Sequence, residues 1–164
     1  MTGSETVSTI LTGIGATMVT DLWTVARKRA FAVPLPNFTL LGRWIAHMPS
    51  GQLVHDSIAA ATPVRGEAIV GWSAHYLTGI SFAFLLPAIG GSEWTHHPTP
   101  GLAFLVGICT VVAPFFVMQP AMGAGVAASR TPRPVAARIH SLVMHAVFGL
   151  GLFLAARLVS GQLH

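Results

Sequence analysis

With 164 residues, 52% of them hydrophobic and 9% charged, the chain lies far from soluble domains, in which about a quarter of residues carry charge. This composition predicts an all-α integral membrane protein forming a single multi-pass domain over 1–164. The net charge of +4 rests on nine cations, too few for a polyanion-binding face and accounted for by membrane topology, so no nucleic-acid partner is expected.

The first predicted element is an apolar span over 7–26. No Lys or Arg precedes Arg27 and the basic cluster follows the apolar stretch, which reads as a retained span rather than a secretory signal. Arg27, Lys28, Arg29, Arg43 and Arg65 then fall in the segment 27–67, which Pro34, Pro36, Pro49 and Pro63 interrupt. Within it Phe38, Leu41, Ile45 and Met48 recur at helical spacing, opposite a polar line of Thr39, Arg43 and His47. With Asn37 as cap, this predicts a short helix over 38–48 lying in the inner interface of the membrane. Arg43 and His47 are the inner-interface candidates, as anchors or as contacts to an anionic lipid headgroup or acidic substrate.

Three further apolar windows, 68–88, 101–121 and 139–159, complete a bundle of four transmembrane helices. The connection 89–100 contains no Lys or Arg, whereas Arg130, Arg133 and Arg138 separate the third and fourth spans. By the positive-inside rule both basic loops face the cytoplasm and both termini lie outside it. Trp23 and Trp72 fall near inner span ends and Trp94 in the outer connection, where indole rings are expected at headgroup level. The single cysteine, Cys109, excludes an internal disulfide and a cysteine metal cluster.

Spans two and four share a pattern, Gly71-x3-His75-x3-Gly79 and Ser141-x3-His145-x3-Gly149, which suggests two related helical hairpins. A fainter echo joins Gly13-Ile14 and Thr17 in span one to Gly107-Ile108 and Thr110 in span three. At a rise of about 1.5 Å per residue, Asp21 lies roughly 9 Å before Arg27, His75 roughly 12 Å after Glu67 and His145 roughly 10 Å after Arg138. With Gln119 they define an intramembrane polar layer on the cytoplasmic side: Asp21, His75, Gln119 and His145. Ionisable groups there cost about 2.5–3.5 kcal/mol each on insertion scales and face the bundle interior.

Two classes of function follow. The layer moves or senses a proton, cation or small solute, since imidazole titrates near neutral pH; or it is polar glue in a structural or partner-binding membrane protein. A minor alternative is bis-histidine haem or metal binding, but Zn²⁺ takes about four ligands and the layer offers two imidazoles, one carboxylate and an amide. His96-His97 and His55-Asp56 read as solvated turns. No metal or cofactor is assigned. Nothing matches a phosphate-cradling loop, a nucleophile elbow or a paired-carboxylate site, so an enzyme is not expected. The partners expected are the lipid bilayer and, through Gly123, Gly125 and other small-residue faces, a second copy of the chain.

The strings Leu41-Gly42-Arg43-Trp44, His47-Met48-Pro49, Ser57-Ile58-Ala59-Ala60 and Pro63-Val64-Arg65-Gly66-Glu67, with Gly71-Trp72 and Ala74-His75-Tyr76, are distinctive. So are the run from Pro114 through Phe115-Phe116-Val117-Met118-Gln119 to Pro120, the segment Ala127-Ala128-Ser129-Arg130-Thr131-Pro132, and His145 with Val147-Phe148-Gly149-Leu150-Gly151. Together they resemble bacterial membrane proteins grouped as domain of unknown function 2938, over nearly the whole chain. The resemblance implies a small multi-span protein of the bacterial inner (cytoplasmic) membrane, with no activity, cofactor or site residue to carry over.

Overall fold

The computed structural model describes residues 1–161, and among these all regular secondary structure is helical. The long helices are α1 (Gly3–Phe31), α3 (Glu67–Ala83), α6 (Pro100–Cys109) and α8 (Pro134–Ser160), with shorter α2 (Phe38–His47), α4 (Leu85–Gly90), α5 (Glu93–His96) and α7 (Gln119–Ala121) between them. Four stretches are long and apolar enough to cross a membrane: Gly3–Phe31, Glu67–Gly90, Pro100–Ala121 and Pro134–Ser160. Each contains one of the four expected windows.

The helices outrun those windows because their ends are set by capping, which hydropathy does not register. At the start of α1 the Thr2 hydroxyl accepts from the Glu5 amide at 3.3 Å while the Glu5 carboxylate accepts from the Thr2 amide at 2.7 Å, a reciprocal capping box. At its end Ala32 turns left-handed, at φ 53°, and its amide donates to the Lys28 carbonyl. Two spans are also broken where hydropathy runs smoothly. Pro87 has no N–H for the Ala83 carbonyl, so α3 stops there and α4 resumes at Leu85. Pro114 likewise leaves the Thr110 carbonyl unserved, and the chain widens into a π-turn over Pro114–Met118, closed by the Gln119 amide on the Pro114 carbonyl.

The contact pattern divides the chain into two compact units. The first comprises Met1–Leu35, Tyr76–Thr110 and the chain from Val143 onward. Its helices meet at small residues. A Cβ on Gly13 would come within 2.5 Å of the Ile80 Cα, one on Gly79 would strike the Thr17 hydroxyl, and one on Gly107 would strike the Gly149 Cα. The pairs α1 with α3 and α6 with α8 therefore each close at a glycine–glycine contact. In both, a threonine donates to the carbonyl of the helix glycine just before it: Thr17 to Gly13 at 2.8 Å and Thr110 to Gly107 at 2.6 Å. The faint echo between spans one and three thus falls on the same contact in both hairpins.

Around these contacts lies a core of Ala16, Leu86, Ala103, Val106, Phe148 and Leu152. Trp94 belongs to it, only 7% exposed, with its indole N–H donated to the Thr99 hydroxyl at 3.2 Å. The ring stays in the connection between the second and third spans, packed against protein. Once Thr99 satisfies the N–H, the rest of the indole is apolar surface and is buried as such.

The second unit comprises Pro36–His75 and Val111–Leu142. Asn37 caps α2 by accepting from the Thr39 amide at 3.1 Å, as its sequence predicts. The helix then crosses the start of α3 with its backbone almost touching: a Cβ on Gly42 would strike the Glu67 carbonyl, and one on Gly71 the Phe38 carbonyl. The loop after α2 is docked against the end of the third span. His55 and Ile58 donate their amides to the Ala121 and Met122 carbonyls at 2.8 and 3.1 Å, and Gly123, at φ +93°, leaves room for the Asp56 carbonyl.

Candidate functional site

In the first unit, Asp21 sits six residues before Arg27 on α1, and its carboxylate accepts from the Tyr76 hydroxyl at 2.9 Å. Tyr76 is the first residue of α3 to belong to that unit. A phenol is a neutral donor, so this pairing satisfies a carboxylate oxygen without adding a charge. Thr24, one turn further on, donates its own hydroxyl to the Asp21 carbonyl at 2.7 Å.

His145 lies four residues before Gly149, and the close approach at that glycine sets the position of its ring. Its Nδ1 is 2.9 Å from the Thr110 Oγ1 and 3.2 Å from the Gly107 carbonyl. The Thr110 hydrogen is already directed at the Gly107 carbonyl, so toward the imidazole Thr110 offers only lone pairs. Both neighbours of Nδ1 are acceptors, which fixes the Nδ1–H tautomer and makes Nε2 the basic nitrogen.

In the second unit His75 stacks on Phe38, ring centroids 4.0 Å apart and planes inclined by 22°, with the Trp72 ring at 5.9 Å. Gln119 donates its amide to the Ser141 hydroxyl at 3.4 Å while its Oε1 is buried without a partner. Ser141 precedes His145 by the same four residues that separate Gly71 from His75. In both spans, then, the residue one turn before the histidine is a contact point, with α2 at Gly71 and with Gln119 at Ser141.

Arg43 and His47 are turned into their own unit. Arg43 forms a fork on Glu67, both nitrogen–oxygen distances 2.8 Å, and donates further to the Ala59 and Ala61 carbonyls. Each partner of the ion pair has a side chain only 12% exposed. The Glu67 carboxylate holds the Arg43 guanidinium above its ordinary value. His47 Nε2 lies 2.9 Å from the Thr62 carbonyl, and its ring abuts that of His55 at 5.2 Å. The polar line of α2 therefore holds the following loop in place. Among the described residues no group of three or more His, Cys, Asp or Glu side chains is placed to hold a metal ion.

Tyr76, Thr110 and Glu67 are the partners that sequence reasoning did not assign. Tyr76 is the only tyrosine and stands directly after His75, and Thr110 already figured in the echo between spans. Glu67, by contrast, is 24 residues from Arg43 and carries no local signal.

An all-helical chain with four membrane-length apolar helices and ionisable side chains set within them is the class these features define. The chain belongs to the family described as Protein of unknown function (DUF2938), whose model matches residues 10–159. No curated protein and no solved structure matches it.

Proposed function

We propose that this chain is a multi-pass protein of the bacterial inner membrane that moves or senses a proton or small cation through the titratable groups of its helices. The observation that carries the reading is the pair of protic contacts within the first unit, Asp21 with Tyr76 and His145 with Thr110, each at 2.9 Å. A carboxylate and an imidazole set within membrane-length helices, each with a hydroxyl at hydrogen-bond distance, are groups whose protonation can change near physiological pH or be tuned toward it. His75 and Gln119 are assigned to the same task from the second unit. Asp21→Asn is nearly isosteric and still accepts from Tyr76, so in proteoliposomes it should remain folded and lose pH-dependent flux. Unchanged flux would exclude Asp21 from the path.

The rival reading, a structural or partner-binding protein, draws support from the glycine contact beside His145. A side chain placed by such packing also serves to fix helix register. It differs in requiring hydrogen bonds but no titration.

The threading proposed for the chain places 27–67 and 130–138 in the cytoplasm and both termini outside, on the distribution of Lys and Arg. Single cysteines at Thr2, Ser50 and Ser92, in a Cys109→Ser background, report it through an impermeant thiol reagent. In intact cells with a permeabilised outer membrane, positions 2 and 92 should label and position 50 should not; the reverse pattern would invert the topology.

A further inference from the structure

The turn that leads into α8 is held in a conformation its residues resist. Ala127 stands at φ 48° and ψ 46° and Ala128 at φ 59°, two successive left-handed residues neither of which is glycine. Packing fixes them there, since Ala128 is only 2% exposed. Backbone held against its preference gathers at binding and switching sites.

What the turn positions is arginine. The Ala127 carbonyl accepts from Arg138 Nε at 2.8 Å. The Arg130 amide donates to the Ala124 carbonyl at 2.8 Å, and the stem of its side chain lies so close over Gly125 that a Cβ there would come within 2.9 Å of the Arg130 Cγ. Both cations are thus anchored to the short segment 124–127. With Nε committed, Arg138 keeps its two terminal nitrogens, the edge that meets an oxyanion as a fork. No Asp or Glu occurs between 111 and 142, and among the described residues no ion pair joins Arg130, Arg133 or Arg138 to a carboxylate. Arg43, by contrast, is spent on Glu67.

Beside the charge runs an apolar stripe. Val135, Ile139 and Leu142 are 64, 57 and 42% exposed, and Arg138 is exposed among them, so the four occupy the i, i+3, i+4 and i+7 positions of one face of a membrane-length helix. Helix side chains lean toward the N-terminus, which carries the Arg138 guanidinium to the Pro134 end while Ile139 and Leu142 continue into the span. A fixed guanidinium at the head of a strip of hydrocarbon fits an amphiphile with an anionic head and an acyl tail. We propose that Arg138 and Arg130, with this stripe, bind an anionic glycerophospholipid of the surrounding bilayer, its phosphate on the guanidinium groups and a chain along Ile139 and Leu142. The inference goes beyond the reading above: it needs the helices to span a membrane but gives Asp21, His75 and His145 no part.

The test is thermal unfolding of the full chain in detergent with phosphatidylglycerol added, against phosphatidylcholine and against inorganic phosphate at the same concentration. A ligand that binds only the folded state raises the midpoint with a saturable concentration dependence. The wild-type protein should show that rise with phosphatidylglycerol and less than half of it with either of the others. Arg130→Gln leaves the bond from Arg138 to Ala127 in place, and Arg138→Lys keeps the charge but loses the fork; each should lose more than half of the shift. Arg29→Gln, at an exposed cation of α1, should retain it in full, as should Asp21→Asn, which separates failure of this site from failure of the intramembrane layer. Equal midpoints with the two lipids, or a shift that inorganic phosphate reproduces, would overturn the proposal. So would an undiminished shift in either Arg130→Gln or Arg138→Lys, or an equal loss in Arg29→Gln, the mark of diffuse charge attraction.

Discussion

Gly71→Ala is expected to be, with Gly42→Ala at the same crossing, among the most damaging small substitutions in the chain, costing about 3 kcal/mol or more, at the upper end of what over-packing does. The added methyl would strike the Phe38 carbonyl and come within 2.7 Å of the Phe38 carbonyl carbon and 3.0 Å of the Gly42 amide nitrogen. All three are backbone atoms, so nothing can rotate aside; α2 would have to leave α3. Because Phe38 also carries the stacking face for His75, the same shift would release that imidazole. Gly101→Ala is the control, with nothing within 4 Å of the new Cβ, and should change stability by no more than about 0.5 kcal/mol. The thermal midpoint in detergent reads both. A Gly71→Ala protein as stable as Gly101→Ala would mean that the close crossing of α2 and α3 does not exist in the folded protein.

His145→Gln should leave the fold intact and reduce pH-dependent flux about a hundredfold, the low end of what one proton-transferring side chain contributes. The glutamine amide can donate toward Thr110 and the Gly107 carbonyl as Nδ1 does, so the packing at Gly107 and Gly149 persists. What it lacks is the basic Nε2. Unfolding on heating at the wild-type midpoint, together with lost flux, is the predicted combination. Full flux would place the imidazole among the packing groups.

How much of this was legible in the sequence depends on the range of the interaction. The four spans were, because about 20 apolar residues in a row have few other uses. So was α2, whose Asn37 cap and apolar spacing are local. The shared pattern of a small residue, x3, His, x3 and Gly also told more than composition, since Gly79 and Gly149 do sit at helix contacts. Illegible were the features decided by a distant partner or by one missing hydrogen. Arg43 reads as a free interfacial cation until Glu67 is folded against it. His55 and Asp56 read as a solvated turn, yet that loop is pinned to the Ala121 and Met122 carbonyls, and the His55 Nε2 is buried without a partner. The interruptions at Pro87 and Pro114 sit inside smooth hydropathy and follow from absent N–H groups, which a hydropathy window cannot weigh. The burial of Trp94 against protein was equally illegible, since it depends on Thr99 taking its N–H.

The central claim is that titratable groups inside these helices carry a proton or small cation across the membrane. Its most direct test is the pH-dependent flux of purified wild-type protein in proteoliposomes, read by an internal pH indicator under an imposed gradient and potential, beside protein-free vesicles of the same lipid. Flux above the protein-free rate that varies between pH 5 and 8 is the predicted result. A rate equal to that of protein-free vesicles across that range would contradict the account and leave the intramembrane polar groups as scaffolding.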